Sequence, residues 1–244
     1  MKGLLIRVGI DSMFGGWNAP VDPKTYRFLY VPIPEDTGIE FRNDFKRKYN
    51  ELIPEINTFY RNYDCEFDFP NELEDRSIHL DPDFQNLTYG DQGKRANPIR
   101  KMGKGDLIVF YAGLRSIRKT DKDLVYAIIG LYIVDEIVDA TKVPKDRWFE
   151  NAHTRRDKSN CDDIVVRADK NFSGRLERCI PIGEWRENAY RVKKDILKEW
   201  GGITVKNGYI QRSATLPYFK KPEIFYNWFK KQNIQLIKRN NNSE

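Results

Sequence analysis

The sequence predicts an α+β fold, a single domain with a mixed central β-sheet flanked by helices. Three observations predict it. Two segments close together in the chain, "GDLIVFYAGL" (105–114) and "DLVYAIIGLYIVDEIV" (123–138), are rich in β-branched and aromatic residues and almost continuously apolar, as strands covered on both faces are. Other stretches repeat apolar residues at three- and four-residue steps, the period of a helix. No internal repeat or linker-like composition divides the chain, so residues 1–235 are expected to form one domain and 236–244 a flexible tail.

Taken in order, "GLLIRVGI" reads as a first strand that ends at Asp11-Ser12 and the pair Gly15-Gly16. "YRFLYVPIP" (26–34) reads as a second, stopped by Pro32 and Pro34. Phe41, Phe45, Tyr49, Leu52, Ile56 and Phe59 make a helical stripe over 40–60, interrupted near Pro54. The strands at 106–112 and 124–134 should be neighbours joined by the basic loop "RSIRKTDK". "EWRENAYRVKKDILKEWGG" (184–202) aligns Trp185, Ala189, Val192, Ile196 and Trp200 on one helical face, with Gly201 where a C-terminal cap belongs. "KPEIFYNWFKK" (221–231) places Pro222 at the first turn of a last helix.

Composition limits the function classes. A chain of 244 residues with 40% hydrophobic residues can bury a proper core. Its N-terminal apolar run is too short for a signal sequence, and no stretch approaches the roughly 18–20 apolar residues that span a bilayer. Cys65, Cys161 and Cys179 show no C-x-x-C spacing, so neither a disulfide framework nor a zinc ribbon is indicated. A cytoplasmic protein without a membrane partner is expected. The net charge of +6 suits a polyanion such as nucleic acid. Lys94, Arg95, Arg100, Lys101, Lys104, Arg115, Arg118 and Lys119 concentrate basic charge in 94–119. They fit either a phosphate-bearing partner or a solvated loop region. Oligomeric state is not legible.

The densest chemistry lies in "SIHLDPDFQNLTYGDQG" (77–93). In an extended "HLDPDF", alternate residues His79, Asp81 and Asp83 point the same way, and Pro82 favours an extended Asp81. Such a set would hold a divalent metal, with Asp81 and Asp83 as oxygen ligands for Mg²⁺ or Mn²⁺, or position a water. Asp91 could join from a turn. The competing reading is turn chemistry, with the carboxylates capping backbone amides. The second of only two histidines, His153, precedes Arg155 and Arg156 in "ENAHTRRDKSN", as an acid–base residue beside a phosphate-gripping guanidinium would. A surface loop is the alternative. In "GIDSMFGGWNAP", Asp11, Ser12 and Asn18 stand at a strand end, a common place for ligand crevices. Neither dinucleotide, P-loop, hydrolase-elbow, zincin nor kinase signatures occur.

Together, "RVGIDS…GGWNAP", "YVPIPE", "HLDPDF…LTYGD", "GDLIVFYAGLR", "ENAHTRR", "SGRLERCIPIGEW" and "GYIQRS" resemble the nucleotide modification associated domain of type 3. The motifs run from about residue 4 to 213 in the family's order. The segment 40–70 departs from the pattern after "PIPE". The resemblance implies a role near modified nucleotides or DNA and points to His79, Asp81, Tyr89, Gly90, Asp91, His153 and Arg155. It leaves two main function classes. In an enzyme acting on nucleotides or DNA bases, His79, Asp81, Asp91 and His153 are catalytic, and Asp11, Asn18, Tyr89, Arg95 and Arg155 hold the substrate. In a non-catalytic reader, Trp17, Tyr89 and Tyr111 line an aromatic pocket for a modified base. A protein-interaction module is a third class. Lys94, Arg95, Arg100 and Lys101 are expected to contact the nucleic-acid backbone.

Overall fold

The computed structural model describes residues 1–42, 45–118, 124–211 and 215–241. Lys119, most of the "RSIRKTDK" loop's second half, the end of "GYIQRS" and residues 242–244 lie outside these. The twelve strands are β1 (Gly3–Arg7), β2 (Pro20–Val21), β3 (Ile33–Pro34), β4 (Ile78–His79), β5 (Thr88–Asp91), β6 (Leu107–Ser116), β7 (Leu124–Asp139), β8 (Ile164–Ala168), β9 (Gly174–Pro181), β10 (Gly183–Arg186), β11 (Ala189–Val192) and β12 (Leu236–Ile237). The α-helices are α1 (Ile53–Asn62), α2 (Gly93–Arg100), α3 (Ala152–Arg155), α4 (Lys194–Glu199) and α5 (Pro222–Lys231).

β6 and β7 form the antiparallel spine that the apolar runs predict, in register from Leu107↔Ile133 to Arg115↔Leu124. β1 and β2 add in parallel along β6. β9 pairs with the first half of β7, β8 with its second half, and β5 with β8, all antiparallel. The sheet is therefore mixed, and the fold is α+β. Alternation along β6 divides the core by face. Ile108, Phe110, Ala112 and Leu114 enter one apolar cluster, whereas Leu107, Val109 and Tyr111 enter the other. The second cluster is closed by α5, whose Phe225 meets Trp200 edge-on at 5.0 Å between ring centroids.

Several expectations need correction. Residues 184–192 form the β10–β11 hairpin, and helix begins only at Lys194. Glu187 and Asn188 both take positive φ, 53° and 57°, the conformation of a tight two-residue hairpin turn. Gly201, with φ of 71°, does terminate the helix that follows. Pro54 starts α1 instead of interrupting a helix, because the first turn needs no proline N–H. Of the expected strand at 26–34 only β3 forms, paired with β4. The segment 236–241 is docked, not a loose tail. β12 extends β9, and Asn241 accepts from Tyr30 N at 2.8 Å and donates to Tyr30 O at 2.9 Å.

Candidate functional site

β4 delivers His79 to a place where three separate chain segments meet. Two residues on, Asp81 turns its carboxylate toward β5. The Gly90 amide donates to both Asp81 oxygens, at 2.9 and 2.7 Å. Only glycine fits there: a Cβ on residue 90 would stand 2.2 Å from His153 Cδ2 and 2.9 Å from Asp81 Oδ2. From the third segment, Asn151 caps α3 by accepting from the His153 amide at 2.9 Å. Its own amide group donates to Asp81 Oδ1 and Thr88 Oγ1, both at 3.3 Å. The cap thereby ties the start of α3 to the carboxylate that His153 faces.

The imidazoles of His79 and His153 meet edge-on, with ring centroids 5.0 Å apart. Each points Nε2 at the same atom: Asp81 Oδ2 lies 3.8 Å from His79 Nε2 and 3.6 Å from His153 Nε2. Behind each ring stands another carboxylate. Glu35 Oε2 is 3.1 Å from His79 Nδ1, and Asp163 Oδ2 is 3.3 Å from His153 Nδ1. Arg156 closes the cluster, donating to Glu35 Oε1 at 2.8 Å and reaching His79 Nδ1 at 3.3 Å. The side chains of His153 and Asp81 are each 3% exposed, and His79 is the opening at 12%.

Burial governs the charges. It raises the Asp81 carboxyl well above the usual range, reinforced by Asp91 and Asp83 and opposed by the Gly90 amide and Asn151. Burial also lowers the His153 imidazole, with a contribution from His79. For Glu35, burial would raise the carboxyl, but hydrogen bonds and charge from His79 and Arg156 prevail and hold it at about 2. Asp163 is likewise lowered, because His153 and the Asn160 amide outweigh its burial.

The other sequence candidates lie elsewhere. Asp83 does not join Asp81. β4 ends at His79 and the chain turns, so the alternation that would align them is lost. Asp83 accepts from the amides of Gln85 and Asn86 and pairs with the buried Arg155 at 2.5 Å. Turn chemistry is the right reading for Asp83, and Arg155 is committed to it and to Phe149 O. Asp91 follows Gly90 on β5, so its side chain leaves the opposite face. There it accepts from the Tyr89 hydroxyl at 2.6 Å and pairs with Arg95 at 3.2 Å. Asp11 accepts from the amides of Met13 and Phe14 and pairs with Arg7, while Asn18 donates to Gly113 O. These make a separate polar group at the end of β1, with no contact to His79, Asp81 or His153 among the described residues.

In the sequence Arg156 is named beside His153; Glu35, Asn151 and Asp163 are not singled out. Glu35 and Asn151 sit inside the motifs "YVPIPE" and "ENAHTRR"; Asp163, in "NCDD", carries no signal. The reader's aromatic set is packed into the core: Trp17, Tyr89 and Tyr111 are each at most 4% exposed. Half of the eight basic residues of the strip are paired, Arg95 with Asp91, Arg100 with Asp139, Lys104 with Asp135 and Arg118 with Asp22. Among the described residues no helix is long and apolar enough to cross a membrane.

Fold and site together define a single α+β domain with a buried centre of two histidines and one carboxylate. Residues 2–215 match the family model described as nucleotide modification associated domain 3, and the chain belongs to that family. No curated protein matches the chain. Among solved structures it is similar to the N-terminal domain of Thermococcus gammatolerans McrB bound to m5C DNA, at 15% sequence identity and a TM-score of 0.35. The alignment covers 95% of this chain and 99% of that one. That likeness is too distant to carry an inference.

Proposed function

We propose that the chain is an enzyme of nucleotide or DNA modification whose chemistry is carried by His79, Asp81 and His153. One observation supports this above all. The two histidines of the sequence meet over a single buried carboxylate, and each has a further carboxylate behind it. Burying so many ionisable groups opposes folding, and perturbed groups gathered in this way mark functional sites more than structural ones. Membership of the family, described as associated with nucleotide modification, supports a nucleotide or a DNA base as the substrate class. A substrate would approach from the side of His79, the least covered member.

The competing reading is a non-catalytic reader of modified bases. Its proposed pocket residues, Trp17, Tyr89 and Tyr111, are core side chains, which weighs against it. Incubation with free nucleotides and with DNA of modified and unmodified bases, followed by mass spectrometry of the products, separates the two. The enzyme reading expects a product whose rate falls by at least about 100-fold in Asp81→Asn, the scale of a lost acid–base or ligand group. His153→Gln provides a second variant should Asp81→Asn fold poorly. Tight binding without product, unchanged by either substitution, would favour the reader.

A further inference from the structure

We infer that His79 Nε2, His153 Nε2 and Asp81 Oδ2 form a binding site for one divalent transition-metal ion, with Glu35 and Asp163 as the outer carboxylates that orient the two imidazoles. The inference rests on the reading of this cluster as the chemical centre and gives that centre its cofactor class.

On His79 Nδ1 a carboxylate at 3.1 Å and a guanidinium at 3.3 Å compete. The shorter contact, to an ionised Glu35, puts the ring proton on Nδ1. In His153 the same tautomer would aim its Nδ1 proton at Asp163 Oδ2, 3.3 Å away, across a contact that lacks the angle of a hydrogen bond. Both Nε2 atoms then turn their lone pairs toward Asp81 Oδ2, so two imidazole nitrogens and one carboxyl oxygen converge on a single point. Their separations of 3.6 and 3.8 Å are too long for hydrogen bonds. Two ligands held about 2.1 Å from one ion stand roughly 3.0–3.6 Å apart, depending on geometry, so a few tenths of an ångström of closure would bring each imidazole into range of an ion on Asp81. The three residues offer one ligand atom each within 4.8 Å of one another.

Charge and outer contacts agree. Asp83 with Arg155 and Asp91 with Arg95 are self-compensated pairs. What is left around the imidazoles is three carboxyl groups, Glu35, Asp163 and Asp81, against the single guanidinium of Arg156, acid-rich surroundings that suit a cation. A carboxylate on the far nitrogen of each ligating histidine is the usual outer arrangement of metal sites. Two imidazoles with one carboxylate suit first-row ions such as Zn²⁺, Co²⁺, Fe²⁺ or Mn²⁺ better than Mg²⁺, which favours all-oxygen surroundings. That revises the ligand set expected from the sequence. His79 and Asp81 stay, Asp83 drops out, and His153 enters.

The test uses the full chain stripped with chelator and then titrated with Zn²⁺ by calorimetry and with Co²⁺ by visible absorption. The expected result is one ion per chain, a protein-bound Co²⁺ spectrum in the wild type, and no displacement by millimolar Mg²⁺. His153→Gln should weaken binding at least 100-fold, and Glu35→Gln by about 10–100-fold. A Co²⁺ spectrum identical to that of the aquo ion, or uptake unchanged in a folded His153→Gln protein, would overturn the site. The wild-type spectrum decides the matter even if the variants do not fold. Product formation that persists in chelator with no metal uptake would remove the metal and leave the enzyme reading standing. Stoichiometric uptake with no action on nucleotides would do the reverse.

Discussion

Gly90 shows how a single residue can decide a site. Its missing side chain lets β5 approach His153 and Asn151 while its amide holds Asp81. Gly90→Ala should lower stability by about 1–3 kcal/mol through overpacking, whereas Gly103→Ala, with open space at its Cβ, should stay within about 0.5 kcal/mol. Urea denaturation of the two variants checks this. Asp81 and Asp83 are separated in the same way. Replacing Asp83 by alanine strands the buried Arg155 charge and should cost about 3–5 kcal/mol, yet leave chemistry per folded molecule intact. Asp81→Asn should do the opposite, with activity lost and stability changed less. Equal loss of activity in both, measured at matched folded fraction, would contradict the assignment. From residue types alone the two aspartates look equivalent. What separates them is the turn after β4, which sends one carboxylate toward Gly90 and the other toward Arg155.

Elements were legible where one residue period dominates. The near-continuous apolarity of β6 and β7 and the proline-led α5 are in the sequence because burial on both faces and the first-turn position of Pro222 leave direct marks. The segment 184–200 misleads because Ala189, Val192 and Trp200 are all buried and happen to share helical spacing, while the turn depends on Asn188 accepting a positive φ. An asparagine, between Glu187 and Ala189, was the available signal. The loop after β2 carries a pH prediction of its own. Burial would raise the Asp22 carboxyl, but the Thr25 hydroxyl, the amides of Lys24 and Thr25, and Arg118 lower it instead. A carboxyl lowered by folding adds stability above its unfolded value near 4. That stability is lost as pH falls through the lower folded value. Asp22→Asn should therefore cost on the order of 1–3 kcal/mol at pH 7, and the gap should shrink below pH 4. A gap that is constant from pH 7 to pH 3 in thermal melts would refute it.

At the scale of the whole molecule, distant segments complete both the core and the site. The C-terminal stretch adds β12 to the sheet, and Asn240 and Asn241 bind Phe84, Asp83 and Tyr30, so removal of 236–244 should lower the melting temperature measurably instead of leaving it unchanged, as removal of a loose tail would. The candidate site is equally non-local. His79 and His153 are conspicuous in the sequence as its two histidines, and both sit inside the family-like motifs. The carboxylates behind them, Glu35 and Asp163, come from loops whose convergence no local pattern encodes. The same holds for charge: the basic strip at 94–119 is plain in the sequence, but the aspartates that pair with half of it come from β5, β7 and the loop after β2. Having two histidines also makes the central claim directly measurable. In a ¹⁵N spectrum of the full chain the imidazole signals are those of His79 and His153, and they can be followed while nucleotides and then modified-base DNA are added. If these residues form the working centre, both imidazoles should shift together with one apparent affinity, and Asp81→Asn should abolish or displace that response. Saturable binding of nucleotide or DNA, seen in backbone signals elsewhere while both imidazoles stay unmoved, would contradict it.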